Sequence, residues 1–67
     1  MVTEEMKQEY LDKIYKEMNR RNIYDEDIPR VIGKTGFMKA FNENPEEQLH
    51  YNIASTVDKI LVVAAKA

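Results

Sequence analysis

The sequence contains no cysteine, and this absence excludes disulfide bonds, thiolate nucleophiles and zinc–thiolate sites together. It also lacks a long apolar run, because the longest one, Ile60 to Ala65, has six residues, whereas a membrane span needs about 20. The N-terminal segment MVTEEMKQEY is acidic and polar, unlike a signal peptide. These absences predict a soluble, cytoplasmic protein that does not enter a membrane.

The chain has 67 residues, which is enough for a single domain over residues 1–67. A chain this short has too little material to enclose a deep pocket and still bury a core. We therefore expect no enzymatic activity, no catalytic residues and no cofactor. Hydrophobic residues make up 43% of the chain and charged residues 33%, a balance typical of folded proteins. Without disulfides, such a domain depends on well-packed helices or on a partner subunit for its stability.

The fold class predicted from the residue pattern is all-α, a compact bundle of four or five short helices. Thr3 followed by two glutamates is typical of a helix N-cap and first turn. Apolar residues then recur every three or four positions, which predicts a first helix over residues 3–21. This apolar stripe consists of Met6, Tyr10, Leu11, Ile14, Tyr15 and Met18. Three acid-before-base pairs at i,i+4 support the helix with about 0.2–0.5 kcal/mol each: Glu9–Lys13, Asp12–Lys16 and Glu17–Arg21.

Two short helices are predicted next. Asp25 is a candidate N-cap for a second helix over 25–33. We expect Gly33 to end that helix in a left-handed conformation, as glycine often does. Gly36 then gives the backbone freedom before a third helix over 36–43.

The last helix is predicted over 45–66. Asn44 is its candidate cap, Pro45 occupies the first helical position, and Glu47 stands where a capping box has an acid. The helix is either continuous or broken near 52–55, where Asn, Ser and Thr can cap a new start.

The C-terminal part of this helix carries more apolar residues than packing against one neighbour requires. A helix packed on one side needs an apolar stripe of only about 100°. Either the helix is central and the others wrap it, or it is shared across the two-fold axis of a homodimer. We favour the homodimer, because so short a chain has little with which to surround a helix. The predicted interface residues are Leu61, Val62, Val63 and Ala65.

The sequence contains few residue patterns typical of a catalytic, metal-binding or phosphate-binding site. Glu47 and His50 match the Glu-x-x-His spacing of di-metal sites in helical bundles, which need two such motifs. The chain has one, so a metal would have to lie between two chains, and we predict no metal site. We interpret His50 as facing solvent near a helix N-terminus, or as partly buried and hydrogen-bonded. The Gly-Lys-Thr triplet that begins at Gly33 follows a predicted helix instead of a strand, so we do not interpret it as a phosphate-binding loop.

The order of segments resembles that of a known family. A first helix ends in Met-Asn-Arg-Arg-Asn-Ile, and Asp-Glu-Asp-Ile-Pro-Arg-Val-Ile-Gly, a tight turn and Phe-Met-Lys-Ala-Phe follow. The chain closes with Thr-Val-Asp-Lys-Ile-Leu-Val-Val-Ala-Ala-Lys. Over about residues 10–67 this resembles the repressor-like helix-turn-helix domains of the Xre/Cro type. The turn and the reading helix depart from the family pattern, because Lys34 replaces an apolar turn residue and Gly36-Phe37 replaces a polar helix start.

The resemblance implies a DNA-binding transcriptional regulator whose 36–44 helix enters the major groove. Its candidate nucleic-acid contacts are Arg30, Lys34, Lys39 and Asn42. Residues 30–41 contain basic side chains but no acidic one, which indicates either a basic patch or ordinary solvated helix faces. The main hypothesis from the sequence is a small non-enzymatic interaction or regulatory protein that forms a homodimer through its C-terminal helix or binds another protein. DNA binding is the alternative.

Overall fold

Five α-helices and no strand make up the computed structural model, which describes all of residues 1–67. The all-α prediction is therefore confirmed. The helices are α1 (Glu4–Arg20), α2 (Ile28–Gly33), α3 (Phe37–Glu43), α4 (Pro45–Leu49) and α5 (Ile53–Lys66). None of them combines the length with the apolar character that a membrane crossing requires.

The core is formed by side chains from α1, α2, α3 and α5. The long helices α1 and α5 pack against each other, α2 packs on α5, and α3 packs on α2. The buried apolar residues are Tyr10, Ile14, Met18, Ile28, Ile32, Phe37, Phe41, Val57 and Ile60. The stripe predicted on α1 supplies the first three of these, whereas Met6 at its N-terminal end stays exposed.

The start of α1 agrees with its sequence signals, but its ion pairs agree only in part. Thr3 is the N-cap, and its Oγ1 accepts a hydrogen bond from the backbone N–H of Met6 at 3.1 Å. Of the three predicted i,i+4 pairs, Glu17–Arg21 forms, with Nε to Oε2 at 2.9 Å. The other two are absent, and Asp12 accepts a hydrogen bond from Gln8 instead. An exposed pair gains too little energy to fix two long side chains by itself.

The second helix begins at Ile28, so the prediction that Asp25 caps it is wrong. The Asp25 carboxylate is already occupied, because its Oδ1 accepts a hydrogen bond from Asn19 Nδ2 at 2.8 Å. The segment around it forms a turn in which the Asp27 N–H donates to the Tyr24 carbonyl at 2.9 Å. The Asp25 carboxylate therefore ties the α1–α2 connection to Asn19 of α1 instead of starting a helix.

The left-handed residue after α2 is Gly36, and the prediction for Gly33 is wrong. Gly33 is the last residue of α2, and Lys34 after it remains right-handed. The chain turns at Gly36, where φ is +71°. The Thr35 hydroxyl serves both helices at this turn: it donates to the Ile32 carbonyl at 2.7 Å and accepts from the Phe37 N–H at 3.2 Å.

The C-terminal region is broken into two helices. Asn44 both ends α3 and begins α4, and its N–H donates to the Ala40 carbonyl at 3.0 Å. That N–H is therefore not free to complete the predicted capping box, and Glu47 accepts instead from the Asn44 side-chain amide at 2.9 Å. The break comes slightly earlier than the predicted 52–55. Asn52 caps α5, with its Oδ1 accepting from the Ser55 N–H at 3.2 Å.

Candidate functional site

The C-terminal half of α5 exposes apolar side chains on the side that faces away from the core. The helix contacts the rest of the chain through Thr56, Val57 and Ile60, which are buried. On its other side Val62 is 53% exposed and Val63 is 38% exposed. The other helices therefore cover α5 on one side only, and the interpretation that they wrap it is wrong.

The four predicted interface residues do not all lie on the same side of α5. Leu61 is partly buried against the core, whereas Val62 and Ala65 are exposed. At about 100° per residue, Leu61 and Val63 lie about 200° apart around the helix axis when the angle is counted through Val62, which lies midway between them. Val62 is thus the centre of the exposed face, and Leu61 and Val63 are its two edges.

The Val63 edge of α5 borders an open groove that runs between α5 and α3. The groove has a volume of ≈ 340 Å³. Phe37 and Ile60, which are 7% and 3% exposed, contribute apolar surface to it, and Ala40 and Val63 line it as well. Sequence spacing gave no sign of this groove, because its two sides come from segments about twenty positions apart.

The polar groups of the groove differ in whether they have partners. The Thr35 hydroxyl is hydrogen-bonded within the α2–α3 turn, and Thr56 Oγ1 lies 3.0 Å from the hydroxyl of Tyr10. The Tyr51 hydroxyl donates to Glu47 Oε1 at 3.3 Å. Lys59 also lines the groove, and it forms no ion pair with any carboxylate of the chain.

A buried hydrogen-bond chain behind the groove joins α1 to α5. Tyr10 donates its one hydroxyl proton to the Tyr51 carbonyl at 3.1 Å, so Thr56 is the donor in the Thr56–Tyr10 contact. Thr56 is 8% exposed and is the one buried polar residue. Its position, three residues after Ile53 and four before Ile60, is the sequence signal that places it on the buried stripe.

Arg21 is a second link between α1 and α5 that the sequence pattern missed. Its guanidinium donates to Glu17, to Asp58 and, at 3.3 Å, to the Ala54 carbonyl. Its hydrogen bonds raise the pKa of Arg21 above its ordinary value, and the bond to Asp58 has a larger effect than the bond to Glu17. Arg21 therefore holds the C-terminal end of α1 against the first turns of α5.

The candidate DNA-contacting residues all lie on the surface. Lys34 is in the three-residue turn between α2 and α3, and Lys39 and Asn42 are on the exposed side of α3. Arg30 on α2 is also exposed, but its Nη2 lies 3.4 Å from Asp27 Oδ1. Glu43 is exposed on α3 too, so the face carries both signs of charge.

The Glu47–His50 spacing does not build a metal site within this chain. The Glu47 carboxylate is engaged by Asn44 and Tyr51, and His50 is exposed at the C-terminal end of α4. Nowhere in the structure do three or more His, Asp or Glu side chains gather closely enough to hold a metal ion.

Comparison of the chain with models of protein families, with curated proteins and with solved structures gave no match in any of the three.

Proposed function

We propose that this protein is a small non-enzymatic interaction protein that forms a homodimer through the C-terminal half of α5. The observation that carries the proposal is the exposure of Val62 and Val63 on a helix whose opposite side already packs against α1. Burying apolar surface contributes about 25 cal/mol per Å². A two-fold axis beside Val62 would bury the same face of both copies against each other.

The test is the solution mass across a dilution series, measured by light scattering. We expect a mass of about twice the 7.9 kDa of one chain. The double variant Val62→Glu/Val63→Glu should have the monomer mass with its helicity unchanged, because both positions are exposed in the single chain. Lys16→Glu on the exposed side of α1 is the matched control and should remain dimeric. A wild-type monomer at every concentration, or a dimeric double variant, would contradict the proposal.

DNA binding is the second candidate function, and the α2–turn–α3 unit supports it. Two short helices joined by a three-residue turn that contains glycine match the turn of a helix-turn-helix motif in length and composition. Lys34 and Lys39 have no ion-pair partner, so both are free for phosphate contacts. Asn42 on the same exposed side of α3 has a side chain able to pair with adenine.

The DNA hypothesis is tested by the salt dependence of binding to a labelled duplex. Contacts from Arg30, Lys34 and Lys39 predict a log–log slope of about −3, and Lys34→Gln/Lys39→Gln should reduce it to about −1. Lys13→Gln/Lys16→Gln on α1 is the control that removes the same charge elsewhere. The absence of binding at low salt, or equal slopes for the two double variants, would refute the hypothesis.

A further inference from the structure

The groove between α3 and α5 has the size and the lining of a small-ligand site. Its volume of ≈ 340 Å³ lies at the lower end of the range of about 300–1,000 Å³ that is usual for such sites.

The floor of the groove is part of the core, whereas Ala40 and Val63 at its sides are exposed. Phe37 and Ile60 are nearly completely buried and belong to the same cluster as Phe41. The rings of Phe37 and Phe41 lie 5.6 Å apart, which fixes the orientation of Phe37. A ligand's apolar body would thus meet a preformed surface, which lowers the entropic cost of binding.

The charge of the groove selects for an anion. Among the residues that line it, Lys59 carries the single charge, although the chain as a whole has a net charge of −2. Thr35, Thr56 and Tyr51 already have hydrogen-bond partners within the chain, whereas the side chains of Gln48 and Ser55 have none and can donate to the same carboxylate. Lys59 has no carboxylate within ion-pair distance, so its charge is available to a ligand.

We propose that this groove binds a small amphipathic carboxylic acid, with the carboxylate at Lys59 and the apolar body along Ala40 and Val63, over the small exposed parts of Phe37 and Ile60. The site adjoins the proposed dimer face, because Lys59 precedes Val62 and Val63 by three and four residues on α5 and Val63 borders both. The proposal is argued from the groove of a single chain, and self-association is measured apart from it. Octanoate is a suitable probe, and octan-1-ol is its uncharged counterpart.

The experiment is a ¹H–¹⁵N NMR titration with each probe at one fixed protein concentration, and the solution mass is measured with and without probe to detect any change in oligomeric state. For a probe of this size we expect a Kd on the order of 1 mM for octanoate. The shifts should centre on the amides of Gly36, Ala40 and Ser55, which line the groove. Octan-1-ol should bind about fivefold more weakly, since it cannot pair with Lys59.

Two pairs of variants locate the site. Lys59→Met should raise the Kd for octanoate about fivefold and leave the Kd for octan-1-ol unchanged. Lys66→Met, two turns further along α5 and outside the groove, is its control. Ala40→Leu should fill the groove and weaken the binding of both probes, whereas Ala54→Leu, exposed on α5 outside the groove, should not.

Three results would overturn the proposal. The first is the absence of saturable shifts at about ten times the expected Kd. The second is a set of shifts centred away from the groove. The third is equal binding of octanoate and octan-1-ol, or equal effects of Lys59→Met and Lys66→Met, because either would show that Lys59 does not recognise the carboxylate.

Discussion

Tyr10 combines core packing with a hydrogen bond that links three parts of the chain. Its ring lies 5.7 Å from that of Phe41, and its hydroxyl contacts both Thr56 and the Tyr51 carbonyl. A buried hydroxyl costs free energy unless it is paired, and here both buried hydroxyls are. At the residue scale this contact fixes how the α4–α5 connection lies against α1.

Tyr10→Phe should destabilise the protein by about 1–2 kcal/mol, because it leaves the Thr56 hydroxyl buried without a partner. Thr56→Val should lower the free energy of unfolding less in the Tyr10→Phe protein than in the wild type, because in that variant it removes a hydroxyl that has no partner. Urea denaturation of the four proteins measures both effects. Tyr24→Phe is the control, because Tyr24 is 72% exposed, and it should change stability by less than about 0.5 kcal/mol. Additive effects of the two core substitutions would contradict the contact.

At the scale of helices and turns, the α2–α3 connection depends on a single left-handed residue. Gly33 and Gly36 both have free space where a Cβ would be added. They differ in backbone conformation, since Gly36 has φ +71° and Gly33 is helical. Conformation, and not crowding, therefore decides what each glycine contributes.

Gly33→Ala should stabilise the protein by about 0.5–1 kcal/mol, because alanine restricts the unfolded chain and fits a helix. Gly36→Ala should destabilise it by about 1–2 kcal/mol, because a side chain disfavours the left-handed region. Thermal denaturation of the two variants beside the wild type measures the difference, and each variant is the other's control. The reverse order of stabilities would place the left-handed residue at Gly33, as the sequence alone suggested.

The cap and the apolar stripe of α1 were predictable, whereas two of its three predicted ion pairs and the signals that depend on a second segment were not. The Thr3 cap and the buried stripe of α1 follow from spacing alone. Asp25 failed as a cap because Asn19 on another element takes its carboxylate. Asn44 failed to complete a capping box because α3 uses its N–H. The groove at Lys59 could not be predicted for the same reason, since it exists only where α3 approaches α5.

At the scale of the whole molecule, one core joins four of the five helices. The radius of gyration is 11.3 Å, close to the value of about 11 Å expected for a compact domain of this length. Phe41 lies at the centre of that core: it is fully buried, and it contacts the rings of both Tyr10 and Phe37. No helix has a second core to hold it if this one is lost, so we expect the molecule to unfold as a unit.

Phe41→Ala tests this cooperativity. The substitution should cost about 3–5 kcal/mol, and a chain of 67 residues has a total stability of only about 3–10 kcal/mol. We therefore expect a large loss of helical circular dichroism that affects α1 and α5 together, because both pack on the same core. Met38→Ala, three residues earlier on α3 and with 37% exposure, is the control and should melt close to the wild type. Hydrogen exchange of the Phe41→Ala protein can contradict this expectation. If the amides of α1 stay protected while those of α5 lose protection, the two helices are independently stable. A shared core does not allow that result, because neither long helix survives without the other.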